Sequence, residues 1–295
     1  MKFTLETLFH PEACRILDCD AERLPELIQT AIREHARIVA EKSAGVRKDA
    51  PESAVSVVDL PGGRRICVKE FRWRAWFHAL KGLARPTQGL RAFRNGARLA
   101  AAGVDVALPL SLVRRKCVSL ATTEWIVMEV IPKALEMDRY ILTRIAASWT
   151  SLERRSLARS FGRFIGSMHG KGIFHSDLKT CNVFVSDRQA LSGEKDTRLS
   201  AASVRFSLVD YDEVSFGRSI LERKRTKNLL QIFLSTPLAV GATDRMRFLN
   251  EYALHAGIDR NQRREIARRV LQAAKGREIL YVGFEGDIIE KWGSR

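Results

Sequence analysis

Paired cysteines are missing from this chain. Its five cysteines, at positions 14, 19, 67, 117 and 181, are odd in number and never fall in a Cys-x-x-Cys spacing, which excludes a zinc ribbon or a disulfide framework and fits a reducing compartment. They read as small buried hydrophobes, with Cys181 set apart because it lies inside a motif described below. Long apolar runs are missing as well. None approaches the ~18 uncharged residues that span a bilayer, and the opening MKFTLETL carries charges before any apolar signal segment forms. The expectation is a chain that is soluble or at most peripheral, in the cytoplasm. Internal repeats and low-complexity tracts are absent too, which excludes a solenoid. Acidic residues are scarce: 34 Asp and Glu face 50 Lys and Arg, a net charge of +16.

That surplus favours anionic partners: nucleic acid, an anionic membrane face or a phosphate-rich small substrate. With 295 residues and 45% of them apolar, the chain can bury a sizeable core as one large domain or two lobes. The pattern changes near Pro132. Before it, Arg37–Ala40, Ala54–Leu60 and Arg65–Phe71 read as strands, the last two joined by the Pro61-Gly62-Gly63 turn. Gln88–Ala102 reads as a helix stopped by Gly103, followed by strands at Leu108–Val113, Cys117–Thr122 and Trp125–Ile131. After Pro132, Leu152, Leu157, Phe161, Phe164, Ile165 and Met168 make one helical face. Strands at Val183–Val185 and Arg205–Asp210 flank a polar excursion, 186–203, and helical spacing returns at Asn228–Ser235, Asp244–Ala256 and Asn261–Ala274. The predicted class is α+β: a small antiparallel-sheet N-lobe over 35–131, a mainly helical C-lobe over 132–295, and an N-terminal extension over 1–34.

The strongest local signal is Ile173-Phe174-His175-Ser176-Asp177-Leu178-Lys179-Thr180-Cys181-Asn182-Val183-Phe184-Val185, a His-x-Asp-x-x-x-x-Asn pattern between a predicted helix and a predicted strand. Phosphoryl transfer to an alcohol uses these residue types: the Asp accepts or orients the proton of the attacking hydroxyl, and the Asn offers an amide oxygen to magnesium. The plainer reading is a polar loop with a hydrogen-bonded histidine and a capping aspartate. Downstream, Phe206-Ser207-Leu208-Val209-Asp210-Tyr211-Asp212 is an apolar strand ending in a carboxylate, able to bridge magnesium to phosphates, although such an Asp alone is usually a turn residue. Upstream, Ile66-Cys67-Val68-Lys69 ends in a lysine on the third predicted strand. Alone it is a solvated charge; its weight comes from preceding the other two elements in the order a kinase needs.

With these three stretches together, the chain resembles the lipopolysaccharide kinase family that phosphorylates Kdo or heptose in the bacterial inner core, over about Arg37 to Tyr252. The resemblance rests on Val68-Lys69 with the basic segment Arg72–Arg98, on His175 to Asn182, and on Leu208-Val209-Asp210-Tyr211-Asp212, where the second Asp is similar to the Asp-Phe-Asp form of sugar kinases. It implies a protein-kinase-like bilobal fold with a reduced C-terminal part and an ATP-dependent phosphotransferase acting on an alcohol group. Asp177 is then the catalytic carboxylate, Lys69 contacts the ATP phosphates, and Asn182 and Asp210 hold Mg2+. Asp212 binds a second ion or orients a basic neighbour, and His175 and Lys179 support the loop.

The implied partner is a lipid A-linked core sugar. A protein this basic is expected on the anionic cytoplasmic face of the bacterial inner membrane, without nucleic acid and without a structural metal. Arg72, Arg74, Lys81, Arg85, Arg91, Arg94 and Arg98, interleaved with Phe71, Trp73, Trp76 and Phe77, read as an interfacial face or as a solvated charged one. Arg218, Arg223, Lys224, Arg225 and Lys227 form a second cluster, suited to acidic sugars or to an exposed helix. The family pattern is departed from in three places. Ser176 stands where protein kinases often carry Arg, the Gly45–Glu52 segment has one glycine where a Gly-rich loop is expected, and helix Gln88–Ala102 lacks the glutamate that pairs with the strand lysine. Two other readings follow, a small atypical Ser/Thr protein kinase and a non-catalytic pseudokinase binding an anionic partner.

Overall fold

The computed structural model describes residues 3–72, 86–117, 120–187 and 204–291. The chain divides into two compact units, Met1–Val130 and Ile131–Arg295. Most of the expected aromatic and basic face between Trp73 and Arg85, and most of the 186–203 excursion, lie outside the described residues.

The first unit is a six-stranded antiparallel sheet backed by helices. Strands β1 (Phe3–Phe9), β2 (Val46–Ala50), β3 (Ser53–Leu60), β4 (Arg64–Arg72), β5 (Pro109–Cys117) and β6 (Leu120–Glu129) are ordered β1-β5-β6-β4-β3-β2. Helices α1 (Ala13–Leu17) and α2 (Leu24–Ala40) precede β2, and α3 (Gln88–Ala101) precedes β5. Residues Arg37–Ala40, expected as a strand, are the last turn of α2. Their apolar pair Ile38 and Val39 looks like a strand in isolation, but Leu24, Ile28, Ala31 and Ile38 share one buried helical face. That face, with Ala13 and Leu17, packs on Val58, Leu60, Ile66, Val68, Leu110, Val113 and Val127 of the sheet. The segment expected as an extension therefore supplies an edge strand, with Thr4 opposite Lys116 and Phe9 opposite Ser111, and a core helix. The two strands expected at 108–113 and 117–122 are instead one continuous strand, β5, and the start of β6.

The second unit is mainly helical: α4 (Met137–Ala146), α5 (Ser151–Gly170), α6 (Glu222–Ser235), α7 (Ala242–His255) and α8 (Arg260–Ala274). A capping box starts α5, with Thr150 Oγ1 accepting from Glu153 N–H and the Glu153 carboxylate accepting from Thr150 N–H. Glycines at 162, 166 and 170 let α5 press against the backbone of α7. A methyl at Gly162 would sit 2.4 Å from the Phe248 carbonyl oxygen, and one at Gly166 2.6 Å from that of Tyr252. Short strands complete the unit: β7 (Ala134–Glu136), β9 (Val183–Asp187) and β10 (Val204–Leu208) form one sheet, β8 (Ile173–His175) and β11 (Val214–Phe216) another. A C-terminal hairpin, β12 (Glu278–Val282) with β13 (Asp287–Lys291), was not expected from the helical periodicity before it. The buried Asp138 carboxylate on α4 accepts from Val282 N–H at 2.8 Å and fixes that hairpin.

Candidate active site

The motif segment sits between two small sheets. Strand β8 ends at His175, which pairs with Val214 of β11, while β9 begins at Val183, which pairs with Leu208 of β10. Between them the chain makes a loop and a 3-10 turn over Thr180–Asn182. One residue beyond the β9–β10 register, Val209 N–H donates to the Asn182 carbonyl at 3.1 Å. Asn182 and Asp210 thereby lie within one residue of each other in register, at the ends of neighbouring strands. Asp210 takes the left-handed conformation, φ 57° and ψ 45°, which Asp tolerates better than most residues but at a steric cost. It turns the chain out of β10, leaving Asp210 exposed while Tyr211 and Asp212 fold under it.

His175 is a strut between these segments. It is buried; its Nε2–H donates to the Val209 carbonyl at 3.2 Å, and its Nδ1 accepts from Asp177 N–H at 3.3 Å. Both bonds require the neutral Nε2–H tautomer, and burial accordingly holds the imidazole below its ordinary pKa. The expected supporting role of His175 thus has a geometry: it joins the backbone beside Asp177 to the backbone beside Asp210.

Asp177 itself is 45% exposed and faces Lys179, with Nζ 3.2 Å from Oδ1. Asn182 Nδ2 donates to the Asp177 carbonyl at 2.8 Å and toward its Oδ2 at 3.3 Å. With the amide nitrogen committed inward, Oδ1 is the atom of Asn182 left to accept a cation. Cys181, next to it, is half-buried, and burial pushes its thiol up to about 12, so it stays protonated and unreactive.

The loop is held from below by α6, whose polar stripe no motif announces. Asn228 Nδ2 donates to the His175 carbonyl at 2.6 Å. Gln231 accepts from Leu178 N–H at 3.2 Å and donates to the Ser176 carbonyl at 2.9 Å. Thr180 N–H donates to Ser235 Oγ at 2.9 Å, and Thr180 Oγ1 to the Ser235 carbonyl at 2.6 Å. Behind Asn228 stands a second buried histidine: His169 Nε2–H donates to Asn228 Oδ1 at 3.1 Å, and Tyr252 hydroxyl donates to His169 Nδ1 at 2.9 Å. Desolvation lowers His169 to about 4 and raises Tyr252 to about 12. The signal was present in the sequence as polar residues at 228, 231 and 235, spaced to lie on one face of a helix otherwise needed for core.

Ser176, where an arginine is common in protein kinases, donates through Oγ to Glu213 at 2.9 Å. Asp212 is buried on the 3-10 turn after Asp210. Among the described residues, no group of three or more His, Cys, Asp and Glu side chains is gathered to hold a metal ion. A divalent ion here would need Asn182 Oδ1, Asp210 and oxygens from its own ligand, which is the donor chemistry magnesium accepts.

Lys69 belongs to the first unit. It lies on β4, the fourth strand in chain order and not the third, opposite Val55 of β3 and Ile126 of β6. Its ammonium is 5.0 Å from the Phe71 ring centre. The Gly45–Glu52 segment is the β2–β3 hairpin, with its tip at Pro51-Glu52 and no glycine there. Helix α3 carries no glutamate, yet a buried carboxylate does meet it. Glu124 of β6 accepts from Gly89 N–H at 2.9 Å, from Thr87 Oγ1, and from Arg114 Nε at 2.9 Å.

A family model described as the lipopolysaccharide kinase (Kdo/WaaP) family matches residues 50–252, more than half of the chain. The lipopolysaccharide core heptose(I) kinase WaaP of Pseudomonas aeruginosa is 29% identical over 101 residues, 34% of this chain and 34% of that protein, so the match spans about a third of the relative's length. A solved structure of WaaP in complex with acyl carrier protein superposes with a TM-score of 0.55 at 18% identity, covering 92% of this chain and 99% of that one. The fold is thus α+β and kinase-like, with an N-terminal antiparallel sheet and a helical C-terminal part. The chain belongs to the lipopolysaccharide kinase (Kdo/WaaP) family.

Proposed function

We propose that this protein transfers the γ-phosphate of ATP to a hydroxyl of Kdo or heptose in the lipopolysaccharide inner core. The observation that carries the reading is the juxtaposition of Asp177, Asn182 and Asp210 on one hydrogen-bonded frame, within the segment the family model matches. Asp177 orients the acceptor hydroxyl and takes its proton as the new phosphate ester forms. Lys179 stays beside Asp177 and balances its charge. Asn182 Oδ1 and Asp210 hold magnesium, which when bound neutralises charge on the transferred phosphate. Lys69 contacts the ATP phosphates, and Asp212, buried under Asp210, steadies that turn.

That the Pseudomonas relative is a heptose(I) kinase supports heptose as the acceptor. The net charge of +16 supports work against an anionic membrane face. Among the described residues, no helix is long and apolar enough to cross a membrane.

The test is ATP-dependent transfer of labelled phosphate to purified core oligosaccharide that lacks core phosphates, with Mg2+ present and withheld. Product from the native chain, abolished by Asp177→Ala and by chelation, supports the reading. No product with any inner-core acceptor overturns it. Phosphate on protein serine or threonine instead would favour the protein-kinase reading.

One further observation bears on partners. The second unit encloses a cavity of about 330 Å³ whose lining includes Ile141, Leu157, Phe161, Ile232, Phe248 and Val270, the size of a small ligand site and apolar enough for a hydrocarbon. Since the structural relative was solved with acyl carrier protein, this supports a reading in which this chain also takes an acyl-carrying partner. Co-purification with an acylated carrier, lost on Val270→Arg, tests it; unchanged capture of an unacylated carrier counts against it.

A further inference from the structure

Ten residues, from Arg218 to Lys227, hold five cations. None of Arg218, Arg223, Lys224, Arg225 and Lys227 has a carboxylate within ion-pair reach among the described residues. Elsewhere on the same unit several surface arginines are matched, Arg268 and Arg269 with Glu265, Arg163 with Glu251, Arg247 with Asp244. Glu222, inside the stretch, is paired with Arg269, and Glu213, just before it, accepts the Ser176 hydroxyl and pairs with none of the five. Unmatched like charges repel, and a fold that keeps five of them together leaves a local field that attracts an anion.

Two of the five are also placed. Lys224 Nζ lies 4.8 Å, and Lys227 Nζ 5.7 Å, from the centre of the same Phe174 ring, so one aromatic ring gathers both ammoniums. Lys224 in addition donates to Ser215 Oγ at 3.1 Å. Ser215 is the register partner of Phe174 across the β8–β11 pair, and Phe174 immediately precedes His175. The lysines are therefore anchored to the strand that delivers the catalytic loop. They also share the loop-facing side of α6: positions 224, 227 or 228, 231 and 235 recur every three to four residues. At 1.5 Å per residue, Lys227 and Lys224 stand about 6 and about 10 Å along the helix from Gln231, whose Nε2 reaches toward Asp177 Oδ1 at 3.4 Å. That is the length of one to two sugar rings.

Resting on the sugar-phosphorylating reading above, we infer that Lys224 and Lys227 receive an acidic substituent of the acceptor saccharide, a carboxylate or a phosphate, and so select which hydroxyl comes to Asp177. Lysine suits the task, because a point charge accepts either anion without the planar fit that arginine demands. Arg218 and Arg223, exposed on either side, widen the field that draws the acceptor in.

The experiment uses the full chain and the double variant Lys224→Gln/Lys227→Gln, with two acceptors: an acidic core oligosaccharide, and the same saccharide with its carboxylates reduced to alcohols and its phosphates removed. The expected result is a KM for the acidic acceptor raised about tenfold, equivalent to about 1.4 kcal/mol, with kcat and the KM for ATP unchanged. The neutral acceptor is expected to show the same KM with both proteins. The Lys224→Arg/Lys227→Arg variant should restore most of the loss. Equal KM values for the acidic acceptor overturn the proposal, as does equal weakening of both acceptors. A loss confined to sedimentation with phosphatidylglycerol vesicles also overturns it and assigns the cluster to the membrane. If the native chain transfers no phosphate to either saccharide, the sugar-kinase reading falls, and calorimetric titration decides the proposal alone. Tighter binding of the acidic saccharide by the native chain than by the double variant upholds it; equal binding ends it.

Discussion

Glu124 in the first unit and Asp177 in the second are both carboxylates within hydrogen-bond networks, and the two networks spend their donors differently. Glu124 is fully buried and receives Thr87, Gly89 and Arg114; Arg114 is in turn shared with Glu6 of β1. Every donor closes on the carboxylate, which fastens the start of α3 to β6 and the edge strand. Around Asp177 most of the hydrogen bonds close on the backbone instead, with Lys179, Asn182 and Gln231 reaching toward the carboxylate at 3.2–3.4 Å. Asn228, Gln231, Ser235 and His175 satisfy main-chain groups of the loop, so the loop is rigid while the side chain remains 45% exposed. A carboxylate whose valence is consumed inside the fold is structural; one held in place by its backbone is available for chemistry.

The sharpest way to break this contrast is to change each carboxylate and read both activity and stability. Asp177→Asn is expected to lower kcat for phosphate transfer about 10³-fold, about 4 kcal/mol in the barrier, with the thermal midpoint close to native because a half-exposed group changes little in stability. A variant with native kcat would remove Asp177 from the mechanism. Glu124→Ala should do the reverse. Removing one partner of a buried pair strands Arg114 and the α3 amide, at a cost of about 3 kcal/mol in urea unfolding. If Glu124→Ala unfolds at native urea concentrations, the network is ornamental.

Next in size comes a dependence on pH that the second network carries through its two buried histidines. His169 is neutral in the fold with its pKa lowered to about 4, and His175 is shifted the same way, both by burial. The unfolded chain, with histidine near 6.5, binds protons first as pH falls. The stabilisation from His169 is therefore whole above about pH 6.5 and is lost as pH drops from there toward 4, amounting to about 3 kcal/mol, with His175 acting in the same direction. His169→Gln, which keeps a donor for Asn228, should flatten that slope in urea titrations at pH 7, 6 and 5. An unchanged slope would place the proton uptake elsewhere.

These two networks also mark what was legible in the sequence. Spacing alone located α6, α7 and α8 of the second unit, since each repeats apolar residues on one face, as Leu229 and Ile232 do. The His175–Asn182 and Leu208–Asp212 segments stood out because chemistry demands unusual residues at fixed separations. Illegible were the parts that depend on distant partners. The β12–β13 hairpin relies on Asp138, more than a hundred residues earlier. The edge strand β1 lies in what reads as an N-terminal extension until β5 is beside it. Helix α4 was missed although the fold buries Met137 and Ile141. The absence of a glutamate from α3 was legible, but sequence order cannot reveal that Glu124 of β6 meets the start of that helix.

The smallest effect tests that last point. Gly89 sits in the first turn of α3 with no unusual backbone angle, so propensity alone says Ala should stabilise it by up to about 1 kcal/mol. Space says the opposite. A methyl there would lie 2.7 Å from Glu124 Oε2 and 3.1 Å from its Cβ, and Glu124 cannot retreat without releasing Thr87 and Arg114. Overpacking of this kind costs about 1–3 kcal/mol, so Gly89→Ala is expected to destabilise by about 1 kcal/mol net. In the Glu124→Ala background the obstacle is gone, and the same substitution should become neutral or stabilising. A double-mutant cycle in urea reads the difference, and a coupling indistinguishable from zero would mean that Glu124 does not hold α3 through this contact.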